Sequence, residues 1–314
     1  MTIEVREFRP EDAPRVLRVR RTVLPFLVVR EESLFWESTR AARRLGAKVF
    51  VAEVGGRVAG VTEARLLDAT ERPGQAFALP QVLPEYRGRG VGTALLDAAE
   101  AHLRSVGGSD VYLWALDDGR SPGLAERRGY ARRRASRALR LDLTGPLPDR
   151  PPLPAGARLR TAAAYADDPR PLYEADVECA RDEPGDVPLT DLSYEDWRAT
   201  YWERPEFDPE LSSVLELDGA VAAYSVAHTD GADRYSSGMT GTRRALRGRG
   251  LARAVKHDSL LRGRAAGYRE AFTGNDADNG PMLAVNRWFG YVPFATEWRY
   301  VKELVGEGGR RPAG

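Results

Sequence analysis

Alternating apolar and polar positions mark a series of short strands in this chain, and 3.6-residue apolar spacing marks the helices between them. Alternation begins in "IEVREFR" from Ile3 and, after a helical region, returns in "KVFVAEV" from Lys48 and "VAGVTEARLL" from Val58. A fourth strand runs into the turn "YRGRGVG" from Tyr86. In the helix that follows, Val91, Ala94, Leu95, Ala98, Ala99 and Leu103 share one face. A fifth strand, "DVYLWA" from Asp110, and a last helix ending in "RRGY" at Tyr130 complete the series. The series then repeats. "ARLRTA" from Ala157, "SSVLELD" from Ser212 and "AVAAYSVAH" from Ala220 precede a second turn, "LRGRGLA" from Leu246, 160 residues after the first. Its helix carries a looser stripe of Leu251, Ala254, Val255 and Leu261; "EAFTG" from Glu270 and "WFGY" at Tyr291 close the plan. Both helices are predicted to stop at a glycine, Gly107 and Gly267, the residue suited to a left-handed position past a helix end. Between the copies, "TGPLPDRPPLPAG" (residues 144–156) holds five prolines and no apolar period. It predicts a stiff linker between a lobe of residues 1–143 and a lobe of residues 157–314.

Composition agrees with two ordinary domains: 314 residues, 42% hydrophobic, enough for a core in each half. No run of 18 apolar residues suggests a membrane span, and the charged start "MTIEVREFRPEDAPRV" lacks a secretory core. A single cysteine, Cys179, allows no internal disulfide and fits a reducing cytoplasm. Net charge is +1; residues 1–150 hold 26 Lys+Arg against 20 Asp+Glu, too mild a bias to argue for nucleic acid.

The repeated turn carries the chemistry. A strand that passes through glycines into a helix N-terminus leaves backbone N–H groups unpaired beside the positive end of the helix dipole. Arginines add fork-shaped donors, so the turn suits a pyrophosphate. A Walker loop would need G-K-[ST], which is absent, and a dinucleotide fingerprint needs glycines spaced G-x-G-x-x-G after a first strand. The spacing Q/R-x-x-G-x-G/A fits instead, with Arg87, Gly90 and Gly92, and again with Arg247, Gly250 and Ala252.

"VLPEYRGRGVGTALLDAAEAHL" and "FTGNDADNGPMLAVNRWFGYVP" resemble the coenzyme A loop and helix, and the fifth strand and last helix, of the GCN5-related N-acetyltransferases. The resemblance covers nearly the whole chain and is that of a tandem, two-lobed bacterial member. It implies an α/β (α+β) fold: two lobes, each a mixed, mostly antiparallel twisted sheet flanked by helices, with the fourth and fifth strands splayed around acetyl-CoA. It implies acetyl-CoA, or another acyl-CoA, as co-substrate, and no metal. Carried onto this chain, the coenzyme A contacts fall in the C-terminal lobe on Thr240, Gly241, Thr242, Arg247, Gly248, Arg249, Gly250, Leu251 and Ala252, with Asn275, Asn279 and Asn286. In the N-terminal lobe they fall on Val82, Arg87, Gly88, Arg89, Gly90, Val91 and Gly92.

The family pattern also points to the working lobe. The oxyanion donor, a backbone N–H of the fourth strand, falls on Thr240 in the C-terminal copy but on Pro80, which has no N–H, in the N-terminal copy. The C-terminal lobe is therefore expected to be catalytic and the N-terminal lobe structural, although its intact turn leaves coenzyme A binding there open. The family's thiolate-protonating tyrosine is missing from both lobes; Asn286 and Ala125 occupy those positions. Tyr291, Tyr268 and Tyr235 are substitutes, or water serves. The base is open too: His228, closing the third strand beside Asp230, titrates near neutral pH when unperturbed. "ARDEPGDVPLTDLSYEDW" holds Asp182, Glu183, Asp186, Asp191, Glu195 and Asp196 where the family builds its acceptor pocket. They read either as an attraction for a cationic amine or as a solvated loop, and Tyr194, Trp197, Tyr201 and Trp202 read as helix packing. The expected activity is acetyl transfer to a small primary amine by direct attack on the thioester, in a monomer or homodimer. The alternatives are a non-catalytic acyl-CoA-binding module, another acyl group, or an oxygen acceptor.

Overall fold

The computed structural model describes residues 2–41, 45–67, 70, 72–182 and 192–304. These fall into two compact units. The first takes in the described residues of Met1–Pro25, Glu31–Ala135 and Thr296–Gly314, the second Phe26–Arg30 and Ser136–Ala295.

In the first unit β1 (Ile3–Glu7), β2 (Lys48–Val54), β3 (Arg57–Leu66), β4 (Gln75–Val82) and β5 (Asp110–Leu116) lie in sequence order. The Thr296–Glu303 part of β12 (Val292–Glu303) comes next, antiparallel to β5, from Glu297 opposite Leu116 to Glu303 opposite Asp110. In the second unit β7 (Arg158–Thr161), β8 (Ser213–Leu217), β9 (Ala220–Thr229), β10 (Arg234–Thr242) and β11 (Glu270–Asp276) follow the same order. Here the sheet is completed by the Ser136–Asp142 part of β6 (Ala131–Asp142), antiparallel to β11. Each half of the sequence thus gives its last strand to the other unit. The compact units differ in this from the halves divided at the proline-rich linker.

Pairing is antiparallel within both sheets except β4 with β5 and β10 with β11, and helices pack on them, as the resemblance implies. The two turn-following helices, Val91–Ser105 and Leu251–Ala265, are equal in length at 15 residues. In the first, Val91, Leu95, Ala99 and Leu103 recur every fourth position and are buried in the core of the first unit. Such burial contributes roughly 1.5–3 kcal/mol for each of the larger side chains. The second buries Leu251, Ala254, Val255 and Leu260, and also Lys256, His257 and Ser259, which explains its looser apolar stripe; Leu261, expected on that face, is half-exposed. Gly107 and Gly267 sit just past the helix ends with φ of 86° and 96°, as the sequence predicts.

Candidate active site

In the second unit β10 and β11 run parallel but pair only from Arg234–Ser236 to Glu270–Phe272. Beyond this they part, and a cleft of about 800 Å³ opens between them. On its other edge β10 is irregular: Ser237 faces Ala227 and Thr240 faces Ser225, so Gly238 and Met239 share one partner position on β9. Such a bulge leaves backbone groups out of the ladder and bends the strand. Thr240 follows the bulge, nearly buried, its hydroxyl sharing a 3.0 Å hydrogen bond with Ser225.

The cleft leads to the second turn. Gly250 caps the Leu251–Ala265 helix in the left-handed region at φ 77°, and no side chain bonds the first helical N–H groups. Those donors are left for an anion. Leu251 anchors the helix in the core, while Ala252, Gly248 and Arg247 border the cleft and Arg249 is exposed. Arg247 Nε donates to the Thr242 carbonyl at 3.1 Å, and its Nη1 meets Asp182 at 2.7 Å. Asp182 also accepts from Arg244, and these two guanidinium groups hold its carboxyl below the usual range. Asp182 is thus engaged with the turn, and Asp196 with Ser193, which caps the Tyr194–Trp197 helix. Glu195 is exposed, and Glu183, Asp186 and Asp191 lie outside the described residues.

Other residues expected at the cleft divide by environment. The Thr242 hydroxyl borders the cleft and is buried with no hydrogen-bond partner. Gly241 is set by packing: a Cβ there would lie 2.7 Å from the Tyr224 ring and 2.8 Å from Cys179 Sγ. Cys179 is buried, which raises its thiol pKa. Asn275 and Asn279 both line the cleft, and Asn279 also caps the Gly280–Trp288 helix through the Met282 N–H. Asn286 does not line it. It is fully buried, accepting from Lys256 Nζ at 2.6 Å and donating to Asn275 Oδ1 at 2.6 Å. Lys256 is fully buried as well, and burial drops its pKa to about 7.

The tyrosines also sit back from the cleft. Tyr291 is buried, its hydroxyl 3.2 Å from Ser237 Oγ, and burial raises its pKa well above the ordinary 10. Tyr235 is bonded to Ser259 and pushed up to about 12 by burial, and Tyr268 packs on the same core. His228 lies against the bulge: a Cβ at Gly238 would be 2.9 Å from His228 Cε1 and 3.2 Å from Nδ1. Burial first, then the Arg204 charge, lower its pKa to about 4, so it is neutral rather than titrating near pH 7. Asp230 faces its own turn, accepting from the Ala232 and Arg234 N–H groups.

The first unit shows the same elements without the opening. β4 pairs with β5 over Gln75–Ala78 only, yet the gap beyond holds just about 50 Å³, among Leu24, Leu79, Leu113, Trp114 and Leu124. β4 keeps an unbroken register with β3, Pro80 opposite Thr62, and has no bulge. Arg87 donates to the Val82 carbonyl as Arg247 does to Thr242, and its Nη1 pairs with Asp118 at 3.1 Å as that of Arg247 pairs with Asp182. Burial would raise the Asp118 carboxyl, but the Ser121 and Arg120 N–H groups, the Ser121 hydroxyl and Arg87 outweigh it and hold it ionised. Gly88 and Gly90 keep positive φ, Arg89 lies over the Tyr86 ring, and Val91 is core. A Cβ at Gly92 would come within 2.8 Å of Leu124, which closes over the turn.

Sheets that splay between a parallel pair, with a glycine turn opening a helix at the mouth, define an acyl-CoA-dependent transferase fold. The comparisons agree. A model of the acetyltransferase (GNAT) family matches residues 16–130. The mycothiol acetyltransferase of Streptomyces coelicolor is 30% identical over 253 residues, covering 79% of this chain and 77% of that protein. That of Acidothermus cellulolyticus is 28% identical over 261 residues, with 77% and 75% covered. A solved tandem GNAT protein from the clavulanic acid biosynthesis pathway superposes with a TM-score of 0.73 at 23% identity, covering 96% of this chain and 98% of that one, a likeness of fold. The chain belongs to the GNAT family of acetyltransferases and is an acyltransferase. The family model matches in the half whose gap is filled, over a range that includes the "YRGRGVG" turn and its helix.

The sequence missed the bulge residues Gly238 and Met239. A Ser-Ser-Gly-Met run in a strand signals one only through its glycine. Among the described residues no group of three or more His, Cys, Asp or Glu side chains could hold a metal, and no helix is long and apolar enough to cross a membrane.

Proposed function

We propose that the chain transfers an acetyl group from acetyl-CoA to a small primary amine, and that the β10/β11 cleft alone does so. The observation that carries this is the pairing of an 800 Å³ opening with a bulged strand in one unit, against a 50 Å³ gap and a regular strand in the other.

The residues fit the co-substrate. The free N–H groups after Gly250, with Arg247, suit a pyrophosphate, and the unpaired Thr242 hydroxyl suits an amide of the pantetheine arm. The backbone N–H groups of Gly238–Thr240 are the donors for the carbonyl oxygen as it gains charge. Preorganised donors of this kind are worth about 10²–10³ in rate each. The amine nitrogen bonds to the carbonyl carbon, the C–S bond breaks, and its electron pair leaves on sulfur. His228 is neutral and lies beside the bulge, so it accepts the amine proton as the nitrogen becomes cationic and that proton turns acidic. Tyr291 keeps its proton and bonds Ser237 at the cleft wall, and the departing thiolate takes its proton from water.

The test is a matched pair. Arg247→Ala with Gly250→Leu should abolish thiol release from acetyl-CoA, while Arg87→Ala with Gly90→Leu should retain most of it. Both glycines have the same left-handed backbone, so strain is common to the two variants. Equal loss at equal folded content, or the reverse order, would sink the assignment.

A further inference from the structure

Behind β10 lies a second cavity of about 190 Å³. Met239 borders both it and the cleft, so the two meet at the bulge. The Arg170–Ala180 helix covers it with Leu172 and Val177, and a π turn at Arg198–Trp202 brings in Tyr201 and Trp202 beside Trp197. Rare π turns collect at functional sites. The rings run in an unbroken series, Tyr173, Trp197, Trp202 and Phe207 standing 5.0–5.9 Å apart.

Apart from His228, its bordering carboxylate and serine hydroxyls are already engaged. Asp176 accepts from Trp197 Nε1 at 2.6 Å and from the Tyr224 hydroxyl at 2.5 Å, one bond on each oxygen. The Ser212 hydroxyl donates to the Asp208 carbonyl and accepts from the Ala227 N–H. Ser213 donates to Asp258, and Ser225 is paired with Thr240. A hydroxyl-rich group entering here would lose its water without replacement, at roughly 1–3 kcal/mol for each unpaired polar group. Arg181 at the exposed rim opposes a second ammonium.

We infer that this cavity seats an aromatic or branched apolar group of the acceptor, with the amine turned toward His228 and the Gly238–Met239 bulge. The inference rests on the transfer reading above and narrows its substrate to apolar primary amines, against amino sugars and polyamines. Size sets the occupant: an apolar cavity of about 150 Å³ is known to hold benzene, so this one takes roughly a substituted ring or a branched chain.

The experiment separates seating from turnover. 2-Phenylethylamine, isoamylamine, glucosamine and spermidine are titrated calorimetrically into the full chain saturated with coenzyme A, and thiol release from acetyl-CoA is followed with each. The two apolar amines should bind and be acetylated at least tenfold better in kcat/KM than the two polar ones. Val177→Phe should weaken 2-phenylethylamine binding at least tenfold while coenzyme A affinity is unchanged. Trp202→Ala should shift preference toward tryptamine at least fivefold. Apolar binding lost in Val177→Phe but without thiol release upholds the cavity and overturns the transfer reading. Turnover of glucosamine or spermidine equal to or above the apolar amines overturns the cavity assignment and leaves transfer standing. Failure of both apolar amines to bind overturns it in every case, including one in which neither variant folds.

Discussion

Lys256 is the most exacting test of the packing around the cleft. It is fully buried, its one hydrogen bond runs to a neutral amide, and burial alone takes its pKa from 10.5 to about 7. A base whose folded pKa lies below its unfolded value costs stability, and the cost is complete where both states are protonated. The penalty is therefore full below pH 7, shrinks as pH rises from 7 to 10.5, and is gone above. At about 1.4 kcal/mol per pH unit it amounts to about 5 kcal/mol at pH 6 and about 2 kcal/mol at pH 9. Lys256→Met removes it but leaves Asn286 Oδ1 buried without its donor, at about 1–3 kcal/mol. The first effect wins at pH 6, where the variant should be more stable by about 2–4 kcal/mol; at pH 9 the two should nearly cancel. Urea unfolding of both proteins at the two pH values reads this directly, because the other titrating groups are common to them. A stability difference that does not move between pH 6 and 9, or moves the other way, would mean that Lys256 is not buried as a penalised charge.

Gly238→Ala should push the His228 ring off the bulge, costing about 1–3 kcal/mol of stability by overpacking and lowering kcat more than it raises the KM for acetyl-CoA; unchanged kcat in a folded variant would remove His228 from the reaction. Thr242→Val should leave the free protein as stable or slightly more so, and weaken acetyl-CoA binding about fivefold, the worth of about one hydrogen bond, as measured by calorimetry. Pro80→Ala restores an N–H to β4 but neither bulge nor cleft, so isothermal titration of the Arg247→Ala, Gly250→Leu background carrying it should detect no acetyl-CoA binding.

Much of this fold is written locally. The duplicated plan, the 15-residue helices, their glycine ends and the phosphate-suited turns all depend on residues within a few positions of one another, where periodicity and backbone preference act. Thr242, Asn275 and Asn279 were legible at the cleft by the same logic, counted from the turn and the last helix. What the sequence concealed is non-local. Asn286 has the right spacing for a cleft residue, but Lys256, thirty positions earlier, holds it in the core. Tyr194, Trp197 and Trp202 do pack, as their helical spacing predicts, while Tyr201 is exposed, and the π turn also lines Trp197, Tyr201 and Trp202 along a cavity. Asp118 pairs with Arg87 from just past the end of a strand that no spacing rule connects to the turn. The strands "ARRRASRALRLD" and "VPFATEWRYVKE" alternate well enough to be strands, but alternation does not name a partner.

The exchange of last strands has a consequence for synthesis. Glu297 pairs with Leu116, 181 residues earlier in the chain. At bacterial elongation rates of roughly 5–20 residues per second, β5 waits on the order of 10–40 s with its outer edge bare. A bare edge invites pairing with other chains, so the nascent protein is at its most aggregation-prone through the very interval in which the ribosome builds the second unit. The second unit, by contrast, receives its borrowed strand before its own sheet exists, and can close as soon as β11 emerges. The second unit can thus mature first, and the first unit is sealed only when β12 arrives.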